Sequence, residues 1–253
     1  MRIAGSFVDV NKANKFVLDR KKRNISRKKV DLSKERLWFV HVGCQVTTQQ
    51  RSGPKSLVSK FLKSDSVILS YETCINSSDI EQLIQTELSK AGLRRSSIIA
   101  KNLDNILSML ERGGWGELIE KLETIEKNTT KKKEQIVAKY IANQFAGLGP
   151  KQSRNYIQWL GLARYEIPVD SRITKTMKKL GCSFVPKASA LNDETVYLLV
   201  QDGLQQVAKK LGIFPCILDA CVFSSFDVDK RWGVKRWGVR SLIYDCTSAK
   251  IIH

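Results

Sequence analysis

The chain has 253 residues, enough for one large domain or two small ones around a real buried core. Its 42% hydrophobic and 27% charged residues are a globular composition and exclude a disordered chain. Lys and Arg number 43 against 25 Asp and Glu, a formal charge of +18 that makes a polyanion the leading partner, with nucleic acid favoured over a membrane surface because no stretch approaches the roughly 18 apolar residues of a spanning helix.

The opening MRIAGSFVDVNKANK lacks the apolar run of a signal peptide. Six cysteines at 44, 74, 182, 216, 221 and 246 are scattered, so free thiols in a reducing compartment are expected: cytoplasm and nucleoid, or a nucleus. Zinc held by Cys216, Cys221, Cys246 and His253 would need a spacing that matches no zinc knuckle, so no metal is expected there. Residues 20 to 29, RKKRNISRKK, carry seven positive charges and no negative one. They read as a basic arm over 1–31, either solvated or contacting phosphate.

From Leu32 the pattern turns helical, and LSKERLWFVHVGCQVTTQQ runs into a polar Gln/Thr cluster. After a Gly-Pro break at 53–54, SLVSKFL gives another short helix. DIEQLIQTELSKAGL opens on an Asp cap, puts Ile80, Leu83, Ile84 and Leu88 on one face and stops at Gly92. SSIIAKNLDNILSML repeats the idea and ends at Gly113-Gly114, and ELIEKLETI is a third. TTKKKEQIVAKYIANQFAG follows a Thr cap and spaces Ile136, Val137, Tyr140, Ile141 and Phe145 as one stripe before Gly147. Beyond it lie DSRITKTMKKLG, NDETVYLLVQDGLQQVAKKLG and FPCILDACVFSSF. Strand alternation is scarce, so the fold class is all-α, with a core over 32–226 and a tail over 227–253. That tail repeats KRWGV at 230–234 and 235–239, either a basic hairpin whose tryptophans pack on the domain or a surface that stacks on bases.

FAGLGPKQSRN, residues 145 to 155, joins two amphipathic helices through Gly147-Leu148-Gly149. Glycines let the chain turn sharply and leave amides unobstructed, and amides at a helix N-terminus can hold a phosphate. Pro150 suits the first helical position, and Ser153 fills the small position of this helix-hairpin-helix pattern, predicted over about 135–161. Lys151 stands in the first turn, the end of a helix that disfavours an ammonium. Nineteen residues later Asp170 follows a Pro168-Val169 approach and caps the next helix.

With these residues the sequence resembles the helix-hairpin-helix DNA glycosylases, above all their 8-oxoguanine glycosylase and endonuclease III branches. The family's hairpin reads roughly Gly-Val-Gly-x-Lys, matched by GLGPK, and its catalytic aspartate sits in a Val-Pro-Val-Asp-like loop, matched by IPVD. The short helix from Lys151 to Gly161 looks most like the compact archaeal-type 8-oxoguanine enzymes. HVGCQVTTQQRSGPKSLVSKFL, AGLRRSSIIAKNL and KKLGIFPCILDACVF extend the likeness over about 32–226. Endonuclease III relatives usually carry a four-cysteine iron–sulfur loop that Cys216, Cys221 and Cys246 cannot reproduce, so no cluster and no required cofactor is expected. The KRWGV tail has no counterpart.

The resemblance implies a two-lobed helical fold and a monomer acting on double-stranded DNA that contains a damaged base or an abasic site. It implies Lys151 as nucleophile, Asp170 as assisting carboxylate, Gly147 and Gly149 holding a phosphate, and Ser153, Gln49 and Gln50 beside them on the DNA-binding surface, with room for a monovalent cation on the hairpin carbonyls. Gln45, Gln49 and Gln50 could fill the gap left by a flipped base or read its partner, or be structural. Phe223 falls where compact relatives place an aromatic near the base, and core packing explains it equally. An amine attacks only when neutral, and bringing a lysine from about 10.4 to neutrality takes roughly three units, or about 4 kcal/mol. Burial and a helix N-terminus both act in that direction. The implied activity is a glycosylase and AP lyase, with 8-oxoguanine as the first substrate to consider. Two rivals remain: another base on the same machinery, such as an oxidised pyrimidine or mismatched thymine, and a module that only holds DNA.

Overall fold

The computed structural model describes residues 14–226 apart from 28, 54, 65–68 and 180; the KRWGV repeat and Cys246 lie outside the described residues. The described residues form helices joined by short turns, with no strand among them. In chain order these are α1 Lys15–Arg20, α2 Lys34–Val46, α3 Leu57–Ser64, α4 Tyr71–Ile75, α5 Ile80–Lys90, α6 Ser96–Met109, α7 Trp115–Lys127, α8 Lys131–Gln144, α9 Pro150–Trp159, α10 Ser171–Lys179, α11 Glu194–Lys210 and α12 Pro215–Phe226. Short polar residues start several of them: Ser33, Asp79, Thr130 and Asp193 each accept a backbone N–H of the first turn. Each such cap is worth about 1 kcal/mol. No helix among the described residues is long and apolar enough to cross a membrane.

Two lobes follow from two apolar cores. The larger draws on α2 through α9, with Leu37, Trp38, Ile84, Leu103, Leu122, Ile141 and Ile157 fully buried. Fully burying one such side chain contributes about 1.5–3 kcal/mol. The smaller gathers Ile167, Val169, Ile173, Tyr197, Val200 and Val222 from the α9–α10 loop, α10, α11 and α12. Within the larger core α2 and α9 cross closely: a Cβ added at Gly43 would lie 2.3 Å from the Trp159 ring.

Two sequence expectations are corrected. Ile136 is not on the buried stripe of α8; it is 53% exposed, and Glu134, Val137, Ala138 and Ile141 face inward instead. A buried glutamate broke the apolar pattern, so periodicity chose the neighbouring face. The basic segment is likewise no loose arm over its described part. In α1, Val17 packs with Ala220 and Cys221 of α12. Asn24 is fully buried and donates to the carbonyls of Gln158 (3.2 Å) and Ala163 (2.8 Å). Arg27 donates to Ile125 (3.2 Å) and Gly161 (2.6 Å). Helix C-termini leave carbonyls without intrahelical partners, and donors and cations are favoured there. The run of charge therefore hides a set of C-terminal caps for α7 and α9.

Candidate active site

The hairpin is set by its turn. α8 ends at Gln144 with Phe145 extended after it, Gly147 takes φ +75, and Gly149 is extended ahead of Pro150 at the start of α9. Gly147 is required twice over: its φ lies in the left-handed region, and a Cβ there would stand 2.5 Å from Asn102 Nδ2 and 2.7 Å from Gln45 Oε1. Gly149 is exposed, and a Cβ added there would meet nothing within 4 Å.

Gln45 is not in a base cavity. It is buried beneath the hairpin, donating through Nε2 to the Ala146 carbonyl at 2.6 Å and accepting from Asn102 at 3.3 Å. Ser153 does not face the groove either; it is fully buried, and its hydroxyl donates to the Pro150 carbonyl at 3.0 Å. A small residue is needed at 153 because that face of α9 packs inward. The hairpin carbonyls of Phe145 and Ala146 accept from the Leu148 N–H at 3.1 Å and from Gln45 Nε2.

The approach to Asp170 is braced from both lobes. Fully buried Glu134 of α8 accepts the backbone N–H groups of Arg164, Tyr165 and Glu166 at 2.8, 2.8 and 2.9 Å. Tyr197 of α11 donates to Ile167 O and accepts from Val169 N–H at 2.8 and 2.7 Å. Beside them Arg154 of α9, fully buried, pairs with Glu166 at 2.8 Å and with Glu194. Burial lifts the Glu166 carboxyl to about 7 against the pull of Arg154. Asp170 then caps α10, accepting the N–H groups of Arg172 (2.8 Å) and Ile173 (3.2 Å). The Arg172 guanidinium reaches its other oxygen at 3.5 Å.

Lys151 and Asp170 come together. Burial is the main influence on the Lys151 amine and holds its pKa below the ordinary value, while Asp170 opposes this. Cys44 lies nearby, but its own burial pushes the thiol up to about 12, so it stays uncharged near neutrality and cannot hold the ammonium. Both residues sit where two concavities meet. One is a groove of about 740 Å³ that includes Gln49, Gln50, Arg94, Gly147, Gly149 and Gln152. The other is a cavity of about 430 Å³ whose walls include Phe16, Arg20, Gln158, Pro168, Asp219 and Phe223. Lys151, Asp170 and Arg172 line both.

Gln49 is exposed at the groove edge with φ +55, and its carbonyl accepts from Arg94 at 2.8 Å. Gln50 also lines the groove, but its amide is tied down, accepting Arg94 N–H at 2.9 Å and donating to Val46 O at 3.2 Å. Phe223 lines the cavity, stacked on Phe16 with ring centroids 4.6 Å apart. Sequence reasoning missed Phe16, Arg20, Arg172 and Asp219. Asp219 carried a signal, as a lone acid inside the apolar run PCILDACVF. In the structure Arg20 pairs with it at 2.8 Å. Among the described residues no group of three or more His, Cys, Asp or Glu side chains could hold a metal ion.

An all-helical, two-lobed chain with a lysine in the first turn of a hairpin helix, facing a capping aspartate, has the fold of the 8-oxoguanine DNA glycosylases. Among solved structures it is similar to the 8-oxoguanine DNA glycosylase of Thermotoga maritima, with TM-score 0.65 and 14% identity, over 90% of this chain and 97% of that one. It is similar also to the 8-oxoguanine DNA glycosylase of Methanocaldococcus jannaschii, with TM-score 0.63 and 12% identity, over 88% and 92%. A third match is the M. jannaschii 8-oxoguanine glycosylase/lyase in complex with a 15mer DNA containing 8-oxoguanine, with TM-score 0.63 and 12% identity, over 88% and 96%. No protein-family model matches the sequence, and neither does any curated protein. What is shared at these identities is the fold.

Proposed function

We propose that this protein is a DNA base-excision glycosylase with AP lyase activity, that Lys151 is its nucleophile and Asp170 its assisting carboxylate, and that it acts as a monomer on damaged duplex DNA, with 8-oxoguanine as the first substrate to test. The observation that carries this reading is the position of a half-buried lysine with a lowered pKa at the seam between groove and cavity. A duplex laid along the basic groove would place an extruded nucleoside with its base in the cavity and its C1′ beside Lys151 and Asp170.

The neutral amine attacks C1′ with its lone pair as the C1′–N bond breaks, and the base leaves with that bond's electrons. The nitrogen loses its proton, which protonates the departing base through a proton acceptor such as the Asp170 carboxylate. The C1′–O4′ bond then breaks, its electrons staying on O4′, which takes a proton from water, while the nitrogen lone pair forms the iminium between Nζ and C1′. Loss of a C2′ proton then expels the 3′ phosphate by β-elimination. The Asp170 carboxylate steadies the positive charge that develops on the sugar. Its capping bonds keep it oriented without using up both oxygens.

Borohydride tests this directly, because hydride reduces the iminium to a stable amine. The protein should become attached to lesion-containing or abasic duplex, and Lys151→Gln should give no adduct. Absence of an adduct with wild-type protein on any lesion or abasic duplex would leave the DNA-holding module as the better reading. Run across oxidised purines, oxidised pyrimidines and mismatched thymine, the same trap identifies the base.

A further inference from the structure

Helix α1 contributes Phe16 and Arg20 to the wall of the cavity. Phe16 faces Phe223 of α12, the rings stacked at 4.6 Å and 19°. A guanidinium sits over each ring: Arg172 lies 4.2 Å from the Phe223 centroid, and Arg20 lies 5.3 Å from that of Phe16. Each arginine is in turn paired with an acid that lines the cavity, Arg172 with Asp170 and Arg20 with Asp219. An unbroken series thus runs from the aspartate beside Lys151, through two aromatic faces, to a second aspartate.

We propose that Phe16 is a substrate-contacting specificity residue: the extruded base enters between Phe16 and Phe223, and α1 is part of the base pocket. This rests on the reading of the site as a glycosylase. Other aromatic side chains line the cavity; this pair lies face to face and is joined through Arg172 to Asp170. Aromatic faces bind any flat base, and guanidinium groups strengthen such stacks. Two stacking layers of about 3.4 Å each need about 7 Å between the rings. The rings stand at 4.6 Å, so they must part by about 2 Å. That displacement would work against the packing of Val17 on Ala220 and Cys221 and against the Arg20–Asp219 pair.

The test compares two reactions of the same protein. Excision of a damaged base in single turnover needs the slot, whereas borohydride trapping on a preformed abasic duplex involves no base. Phe16→Leu, which keeps apolar volume but not the flat face, should slow excision about tenfold or more and leave abasic trapping within about twofold. Phe16→Tyr should restore excision. Phe16→Leu that excises like wild type overturns the proposal, and so does an equal fall in excision and abasic trapping, which would mark Phe16 as structural. A wild-type protein that forms no adduct with the abasic duplex would overturn the underlying reading, and this proposal with it.

Discussion

At residue scale the chemistry depends on one amine under opposed influences. Burial lowers the Lys151 pKa, and Asp170 raises it, so the carboxylate that assists the reaction also resists deprotonation of the nucleophile. The sign of a pH profile follows. Single-turnover adduct formation should rise with pH as the ammonium is lost, then level off below the ordinary lysine value of about 10.4. Asp170→Asn removes an influence that raises the pKa, so its inflection should move to lower pH even as its plateau falls well below wild type. Measured rates from pH 5 to 10 on both proteins check this. An inflection that moves upward, or does not move, would show that Asp170 does not act electrostatically on Lys151. Sequence named both residues and could not order these influences, because desolvation depends on what packs around the amine.

At element scale the hairpin separates two uses of glycine. Gly147→Ala puts a Cβ into a left-handed backbone and against Asn102 and Gln45, and both effects are destabilising, together by about 1–3 kcal/mol. Gly149→Ala meets open space at an ordinary φ of −63 and should leave the melting temperature nearly unchanged. It nonetheless crowds the amide face that would approach a phosphate. The expected outcome is a loss of both stability and DNA affinity in Gly147→Ala, and of affinity alone in Gly149→Ala. Thermal melting alongside a duplex titration distinguishes them, and unaltered affinity in Gly149→Ala would remove the hairpin from the DNA interface. The Gly-x-Gly pattern and Pro150 made this element legible, since turn chemistry is local. The inward turn of Ser153 and the bracing by Gln45 were not legible, since both depend on a distant partner.

At the scale of the whole molecule the N-terminal segment ties the two lobes together. Asn24 of that segment donates to carbonyls on either side of the α9 C-terminus, while Arg20 reaches α12. Asn24→Ala would leave two buried carbonyls without those donors and should cost about 1–3 kcal/mol. That corresponds to a fall in melting temperature of roughly 2–4 °C per kcal/mol for a chain of this size. A segment that were only a solvated basic arm would show no change. The asparagine sits within a charge run that composition reads as surface, which is why the joint was missed.

The sequence by itself determined the helical class, most of the helix starts, the hairpin and the Lys151–Asp170 spacing. Each is carried by neighbours in the chain: a cap and the amide it accepts, a glycine and its own φ, a proline at a first turn. The tertiary structure alone decided that Glu134 rather than Ile136 faces the core, that Gln45 braces the hairpin, and that α1 and Asp219 wall the cavity. Those placements join residues 30 to 199 positions apart through burial and long-range hydrogen bonds, whose energy depends on which groups lose water together and leaves little trace in local pattern.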